Sequence, residues 1–350
     1  MTPALQRAIV VQQDGSVALR EIPVPKPGPD DILVKVVAAA QNPTDWKTAQ
    51  HGKRAGAVSG CDFSGIVEEI GSNVPQGLRS VGERVAGMVQ GGSHHHHGAF
   101  AEYLVTSADF VVHVPDAWSF EDASQLGVAP LTALRVLYDV LKLPEPLGTT
   151  ASRVKIPVLI SGGATSVGLY ATQFAKLSGL YVIATASSRN FNLVRSLGAD
   201  VVVDYADPVA AAKQIREAAP NLEHAVDCVG EDSSTAITAA SLNGKGTIAQ
   251  ITLRPIPVEG VRTLSSIIFD VIGKDCDWPL PFTASPELTE IGRKLVRLLS
   301  EIVAKTNLRP NPALIQPLGL ASVAEGFQYM SEGKVSAQKL IYRVADTPKE

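Results

Sequence analysis

Gly162, Gly163 and Gly168, with Thr165 and Ser166 between them, follow directly on the apolar run Val158 to Ile160. A glycine turn between such a strand and a helix, here Leu169 to Leu177, lets the backbone approach a pyrophosphate. The N–H groups at the helix start then stabilise the phosphate charge. A chain that binds NAD carries an Asp or Glu about 20 residues further on, which holds the ribose 2′-hydroxyl. Here the next apolar run, from Tyr181, ends instead in Ser187, Ser188 and Arg189. Two hydroxyls and a cation suit a 2′-phosphate, so the expected cofactor is NADPH, a hydride donor. The middle glycine of the usual G-x-G-x-x-G is missing, and Thr165 and Ser166 offer hydroxyls to the pyrophosphate in its place. Alone, the turn also fits a helix cap in some other α/β protein. Its strand–turn–helix–strand setting and the basic strand end give it weight.

A turn of this kind needs a parallel sheet to carry it. From about residue 128 strand-like and helical runs alternate: helix Leu131 to Leu141, strand 156–160, helix 167–178, strand 180–185 and helix 190–196. Strand Val201 to Val203, helix Pro208 to Ala218, strand Glu223 to Cys228, helix Ser233 to Ser241 and strand Gly246 to Ile251 continue the series. That alternation predicts a doubly wound parallel sheet. Residues 1 to about 127 read as strands Ala8 to Val11, Val17 to Glu21, Asp31 to Ala40, Ser64 to Ile70 and Ala101 to Val105, separated by Pro and Gly clusters. The remainder carries an amphipathic helix, Pro286 to Thr306, a short helix Val323 to Glu332 and a last strand, Gln338 to Val344. The fold class expected is therefore α/β, a β-rich domain joined to a Rossmann-type sheet.

Composition narrows the function. With 350 residues, 45% hydrophobic and 19% charged, the chain has room for two ordered cores. A net charge of −4, without blocks of like charge, argues against nucleic acid as a partner. No apolar run approaches the roughly 20 residues that span a bilayer. The segment Met1 to Arg7 lacks the features of a signal peptide. Cys61, Cys228 and Cys276 are too scattered for a disulfide framework or a zinc lobe, which points to a reducing, cytosolic home.

With these pieces in order, the chain resembles the medium-chain dehydrogenase/reductase superfamily over nearly its full length. The markers are Gly60-Cys-Asp-Phe-Ser-Gly-Ile-Val-Glu-Glu-Ile-Gly71, Val81-Gly-Glu-Arg-Val85, Gly98-Ala-Phe-Ala-Glu-Tyr103 and Gly127-Val-Ala-Pro-Leu-Thr-Ala133. Leu197-Gly-Ala-Asp200, Val226-Asp-Cys-Val-Gly230 and Gly333-Lys-Val335 complete the series. The resemblance implies a GroES-like catalytic domain over 1–127 and 273–350, and an NADP-binding Rossmann domain over 128–272. Zinc alcohol dehydrogenases carry a Cys and a Gly-His-Glu as ligands; here Asn42 and Cys61-Asp62 stand in those places. A catalytic zinc needs three protein ligands, and Cys61 has no evident partners, so no metal is expected. The pattern is that of the zinc-independent quinone and enoyl reductase branch. Asn42-Pro-Thr-Asp-Trp-Lys47 and the Gly-Cys-Asp-Phe segment resemble the fungal trans-acting enoyl reductases that work beside polyketide synthases.

That resemblance implies hydride transfer to the β-carbon of an α,β-unsaturated thioester, with an enolate oxygen to stabilise and water to exclude. It puts Lys47 beside the nicotinamide, as the catalytic candidate. It points to Thr44, Asp45, Trp46, Lys47, Thr132, Ala164, Thr165, Ser166 and Val167 as cofactor-binding residues. To these it adds Ser187, Ser188, Arg189, Asn190, Tyr205, Ile251, Thr252, Val335 and Ser336. An acyl pocket between the domains is implied, lined by Pro130, Leu131, Thr132, Ala133 and Leu134 and by Ser266, Ile267, Ile268, Phe269 and Asp270. Related thioester reductases carry a tyrosine a dozen or so residues after the Asn-Pro; here His51 is the only ring in that stretch. Asp227 and Cys228 end an interior strand and read as structural.

The run His94 to His97 cannot aim all its rings at one ion, because neighbours on a strand face opposite ways, so it reads as a solvent loop. Prolines around 255–257 and 279–281 block edge pairing, which favours a monomer. The leading expectation is an NADPH-dependent enoyl reductase acting on a carrier-bound polyketide intermediate. A free-standing quinone or enone reductase and a redox-silent isomerase or cyclase on the same fold are its rivals.

Overall fold

Three strands rich in Ile, Val, Ala and Phe set the first core. In the computed structural model, which describes residues 2–349 apart from 53, 94–96, 149–154, 243, 253–254 and 277–281, β1 (Leu5–Val11) and β2 (Val17–Pro23) form an antiparallel hairpin. Strand β3 (Asp31–Ala40) leads into α1 (Pro43–Gly52), then β4 (Asp62–Ile70), β5 (Arg84–Met88), β6 (Tyr103–Ser107) and β7 (Val111–His113). These join two later strands in a sheet of order β14-β15-β3-β4-β5-β7, with β6 also paired to β3; β14 is Ala313–Gln316 and β15 is Lys339–Arg343. Ile32, Val34, Phe63, Leu104, Leu340 and Tyr342 fill the space behind the sheet, and the rings of Phe100 and Tyr342 meet edge-on at 5.3 Å. The strand expected at Ala101 lies two residues later, at Tyr103–Ser107. Strands β5, β7 and β14 lack a long alternating run, and the sequence reading passed over them.

The alternating segment forms the second sheet. It follows α2 (Phe120–Ala123), which packs on β3 and β4, and begins with α3 (Val128–Leu134), which continues as a π-helical turn over Arg135–Val140. The helix starts three residues before the predicted Leu131, because Pro130 lies in a first turn whose N–H groups lack intrahelical acceptors anyway. Then come β8 (Pro157–Ser161), α4 (Ser166–Leu177), β9 (Tyr181–Ala186), α5 (Phe191–Ser196), β10 (Val201–Asp204) and α6 (Pro208–Ala218). Strand β11 (His224–Asp227), α7 (Asp232–Leu242), β12 (Thr247–Gln250) and β13 (Arg262–Ser265) complete it. All six strands are parallel, in the order β10-β9-β8-β11-β12-β13. The order reverses between β8 and β11, and such sheets take ligands outside the strands' carboxyl ends at that point. Strand β13, next to the prolines at 255 and 257, was not expected; its pairing to β12 overrides a weak local preference.

Two helices and a last strand return to the first sheet. Helix α8 (Pro286–Lys305) buries Gly292, Leu295, Val296, Leu299, Ile302 and Val303 at the three-to-four spacing of one helical face. Helix α9 (Val323–Ser331) precedes β15. By its internal contacts the chain forms two units, one of Met1–Val128, Phe269–Lys305 and Pro310–Glu350 and one of Ala129–Ile268 and Thr306–Arg309. Among the described residues no helix is long and apolar enough to cross a membrane.

Helix α4 packs so closely on the sheet that its third residue has no room for a side chain. A Cβ on Gly168 would lie 2.2 Å from the Gly162 carbonyl oxygen, and one on Gly163 2.8 Å from Ala184 Cβ. Gly168→Ala is therefore expected to lower the unfolding free energy by about 1–3 kcal/mol, as overpacking does. Gly148→Ala, whose added carbon meets only the Glu145 carbonyl oxygen at 3.5 Å, should stay within about 0.5 kcal/mol. Urea unfolding of both variants checks this, and equal midpoints would contradict the packing argument.

Candidate functional site

The turn after β8 is held from below. The Gly162 N–H donates to Thr185 Oγ1 (2.9 Å) and the Gly163 N–H to the Thr185 carbonyl (2.7 Å), so β9 fixes where the turn sits. Gly162 has φ +79°, a conformation that favours glycine. Thr165, at the position of the missing middle glycine, is the N-cap of α4. Its hydroxyl donates to the Gly162 carbonyl (2.8 Å) and accepts from the Gly168 N–H (3.0 Å). That hydroxyl is thus engaged within the turn on both sides. Ala164, Ser166 and Val167 are half-exposed at the helix start, where unpaired N–H groups and the helix dipole favour an anion. These features fit a dinucleotide: a backbone with no side chain in its way, at a helix N-terminus, on the carboxyl edge of a parallel sheet.

The neighbouring strand ends lie along the same edge. After β9, Ser187 to Asn190 make a single turn in which Asn190 Nδ2 donates to Ser187 Oγ (3.2 Å); Ser188 and Arg189 are exposed. Tyr205, just beyond β10, is 48% exposed, enough to offer a ring face to a ligand. Beyond β11, the Asp227 carboxylate is fully buried and accepts from the Val229 and Gly230 N–H groups and the Ser234 and Thr235 hydroxyls, at 2.8 to 3.1 Å. Asp227 is structural, as expected: it shapes the loop that passes the glycine turn. Burial pushes the Cys228 thiol up, away from the reactive thiolate form. A Cβ on Gly230 would lie 2.5 Å from Thr252 Cγ2, so this loop runs against Ile251 and Thr252 after β12.

Pro130, Leu131, Thr132, Ala133 and Leu134 are all buried in α3. In the same unit Ser266 and Ile268 are buried and Ile267 half-buried, just past β13. The Arg135 guanidinium, itself buried, donates to the Ile267 carbonyl and joins these two stretches. Phe269 and Asp270 belong to the other unit. A shallow depression there, lined by Met88, Gln90, His97, Phe110 and Lys274 among others, contains none of the expected site residues. Of the histidine run, His94 to His96 lie outside the described residues.

In the β-rich unit, the start of α1 is built on buried polar groups. Asp45 Oδ2 accepts the Asn42 N–H (2.7 Å), a carboxylate at the third helical position reaching back as in a capping box. Asn42 turns its amide elsewhere. Its Oδ1 accepts from Lys339 Nζ (2.5 Å), and its Nδ2 donates to Asp62 Oδ2 (2.8 Å), which Lys339 Nζ also approaches to 3.2 Å. Asp62 Oδ1 accepts the Val128 N–H (2.7 Å). Lys339 and Asp62 form an ion pair with 2% and 0% of their side chains exposed. Nothing in the sequence reading pointed to Lys339. The ammonium between Asn42 and Asp62 stands against the oxygens a metal would need, and among the described residues no three His, Cys, Asp or Glu could hold one. These side chains do not fit a catalytic zinc.

On the outer face of α1, Lys47 is exposed, its Nζ 5.6 Å from the centre of the half-buried Trp46 ring. Thr44 is half-buried and His51 exposed. The Asp45 side chain, by contrast, points inward and is 2% exposed. Val335 and Ser336 lie half-buried in the loop before β15.

Burial raises Asp45 to about 7, opposed by the Cys61 thiol and the Asn42 N–H and reinforced by Asp62. The folded protein thus keeps a proton that the unfolded chain releases near pH 4. This contribution to stability is complete below about pH 4 and is lost as pH rises to about 7. Relative to Asp45→Asn, the parent should lose up to about 1.4 kcal/mol of stability per pH unit across that window and nothing further above it. Urea midpoints of both proteins at four pH values test this; a pH-independent difference would refute it.

Residues 28–116 match the alcohol dehydrogenase GroES-like domain, and residues 166–272 the zinc-binding dehydrogenase domain. A trans-enoyl reductase of Alternaria alternata is 37% identical over 97% of this chain and 99% of its own. A trans-enoyl reductase of Petromyces alliaceus is 34% identical over 98% of each. Among solved structures, a mycobacterial protein in complex with NADPH is similar over 96% of this chain and 99% of its own, with a TM-score of 0.71 at 24% identity. With that identity to named enzymes over nearly the whole of both chains, the protein belongs to the medium-chain dehydrogenase/reductase superfamily, within its trans-enoyl reductase family.

Proposed function

We propose that the protein is an NADPH-dependent trans-acting enoyl reductase that reduces an α,β-unsaturated polyketide thioester presented on a carrier. The observation that carries the cofactor choice is the exposed Ser188 and Arg189 at the end of β9, next to the glycine turn. The reaction rests on the full-length relatives named trans-enoyl reductases, and a similar fold has been solved with NADPH. In this reading residues 1–127 and 273–350 are the catalytic domain and 128–272 the cofactor domain. The protein works as a monomer in the cytosol beside a polyketide synthase.

When bound, the dihydronicotinamide supplies a hydride to the β-carbon of the thioester, and a proton drawn from solvent goes to the α-carbon. The residues of this chain do the rest. The start of α4 and the turn Ala164 to Val167 hold the pyrophosphate. Ser187, Ser188, Arg189 and Asn190 hold the 2′-phosphate through charge-assisted hydrogen bonds, and Tyr205 lies along the adenine. Thr44, Trp46, Thr132, Ile251, Thr252, Val335 and Ser336 orient the remainder, and Asp45 supports them from within. Lys47 donates a hydrogen bond to the thioester oxygen as negative charge develops there. Pro130 to Leu134 and Ser266 to Asp270 line the acyl chain and exclude water.

Two measurements test this. Arg189→Ala should weaken NADPH binding about 10–100-fold, the loss of a charged hydrogen bond, with NADH binding nearly unchanged. Equal affinity of the parent protein for both cofactors would remove the phosphate-site assignment. In turnover assays, the protein should consume one NADPH per saturated thioester formed on a carrier protein. Reduction of simple quinones without reduction of the thioester would favour a small-molecule quinone reductase. Product formed without NADPH consumption would favour an isomerase or cyclase.

A further inference from the structure

We infer that Asn42, clamped by the buried Lys339–Asp62 pair, is a positioning residue that fixes where α1 presents Lys47. The inference rests on the reading of Lys47 given above. Its geometry is local to one sheet. Lys339 begins β15 and Asp62 begins β4, while Asn42 follows the end of β3, which lies between them. In register, Ala40 faces Asp62 on one side and Ile341 on the other. Three neighbouring strands therefore deliver an ammonium, a carboxylate and an amide to one buried spot.

Asn42 immediately precedes α1, where Asn ordinarily caps a helix with its own side chain. Here Asp45 performs the reciprocal half of the cap through the Asn42 N–H, and the Asn42 amide is free to close the triangle with Lys339 and Asp62. Burying an ion pair seldom adds stability over an apolar trio of similar size. What these groups supply that methyl groups cannot is direction, because each hydrogen bond is satisfied only over a limited range of distance and angle. Pro43 then fixes the backbone angle at the first helical position, and Lys47 follows about 6 Å along the axis at 1.5 Å per residue. The Lys47 ammonium rests on the ring of Trp46, which packs into the core. Its location is thus set by the seating of α1. A displacement of about 1 Å at such a group can slow a reaction on the order of a hundredfold.

A double-mutant cycle on the full-length protein tests this, using kcat for the thioester and fluorescence titration with NADPH. Asn42→Ala leaves Lys339 and Asp62 in contact at 3.2 Å but takes an acceptor from the one, a donor from the other and the side-chain link from the pair to the start of α1. It is expected to lower kcat about 10–100-fold with the NADPH Kd within about twofold of the parent. Because Asn42 acts through Lys47, the Asn42→Ala/Lys47→Ala double variant should be no slower than Lys47→Ala alone. If the two losses multiply, or if Asn42→Ala turns over like the parent, the positioning role is overturned while Lys47 keeps its place. If Lys47→Ala alone turns over like the parent, the reading of Lys47 fails, and the inference fails with it. Should Asn42→Ala not fold, Asn42→Ser, which retains one hydrogen-bonding group, takes its place in the cycle with the same criteria.

Discussion

A buried ammonium cannot be left without partners, and that constraint organises the β-rich unit. Lys339 is 2% exposed on the strand between β14 and β3. Isolated in such a place, its charge would cost several kcal/mol. Asp62 and Asn42 answer it, and each is in turn tied further: Asp62 to the first N–H of α3, Asn42 through its own N–H to Asp45 in α1. Removing any member leaves the others unsatisfied. One ion pair therefore joins three strands and the starts of two helices. An apolar core could hold the same strands together, but it would not specify the direction in which α1 leaves them.

The α/β unit obeys a different constraint, that of distance. Its glycine turn lies so close to α4 that Gly162 and Gly168 almost touch through backbone atoms. Thr165 then takes the position where a second glycine is usual. Its β-branched side chain is tolerated because its hydroxyl bridges the two ends of the turn, capping α4 while tying back to Gly162. The turn is thereby closed from within, and what it offers outward is backbone at a helix start. Such a surface suits a diphosphate better than any single side chain would, because several N–H dipoles converge there without conformational cost.

What could be read from the sequence followed local signals. Helix α6 was bounded correctly because Asp207 and Pro208 are a cap and a first-turn proline, and Asp207 Oδ1 does accept from Val209 and Ala210. The order of strands and helices after residue 128 was legible for the same reason. Strands β5, β7, β13 and β14, of three to five residues, were not, since neighbours rather than local alternation decide them. At the site, Thr165 stands three residues before Gly168 at a helix start, which is the position of a cap. Lys339 was out of reach, 297 positions from Asn42, since lysine is ordinarily a surface residue. One signal was present: Asn42 and Cys61-Asp62 stand where zinc alcohol dehydrogenases carry their metal ligands, and a buried carboxylate there calls for other partners.

Three buried carboxyl groups in this molecule differ in the donors that surround them. Asp227 receives four hydrogen bonds from neutral donors and needs no cation. Asp62 receives fewer and is completed by Lys339. Asp45 has the Asn42 N–H and the weak donor of Cys61, too little to offset its burial, and it is raised to about 7. Burial raises Asp62 as well as Asp45, and Lys339 opposes the rise chiefly at Asp62, its ion-pair partner. The start of α1 thus carries a carboxyl poised between its two forms, directly beneath the turn that presents Thr44 and Lys47. Burial sets the charge there, while the buried lysine, through Asn42, sets the orientation of the turn above it.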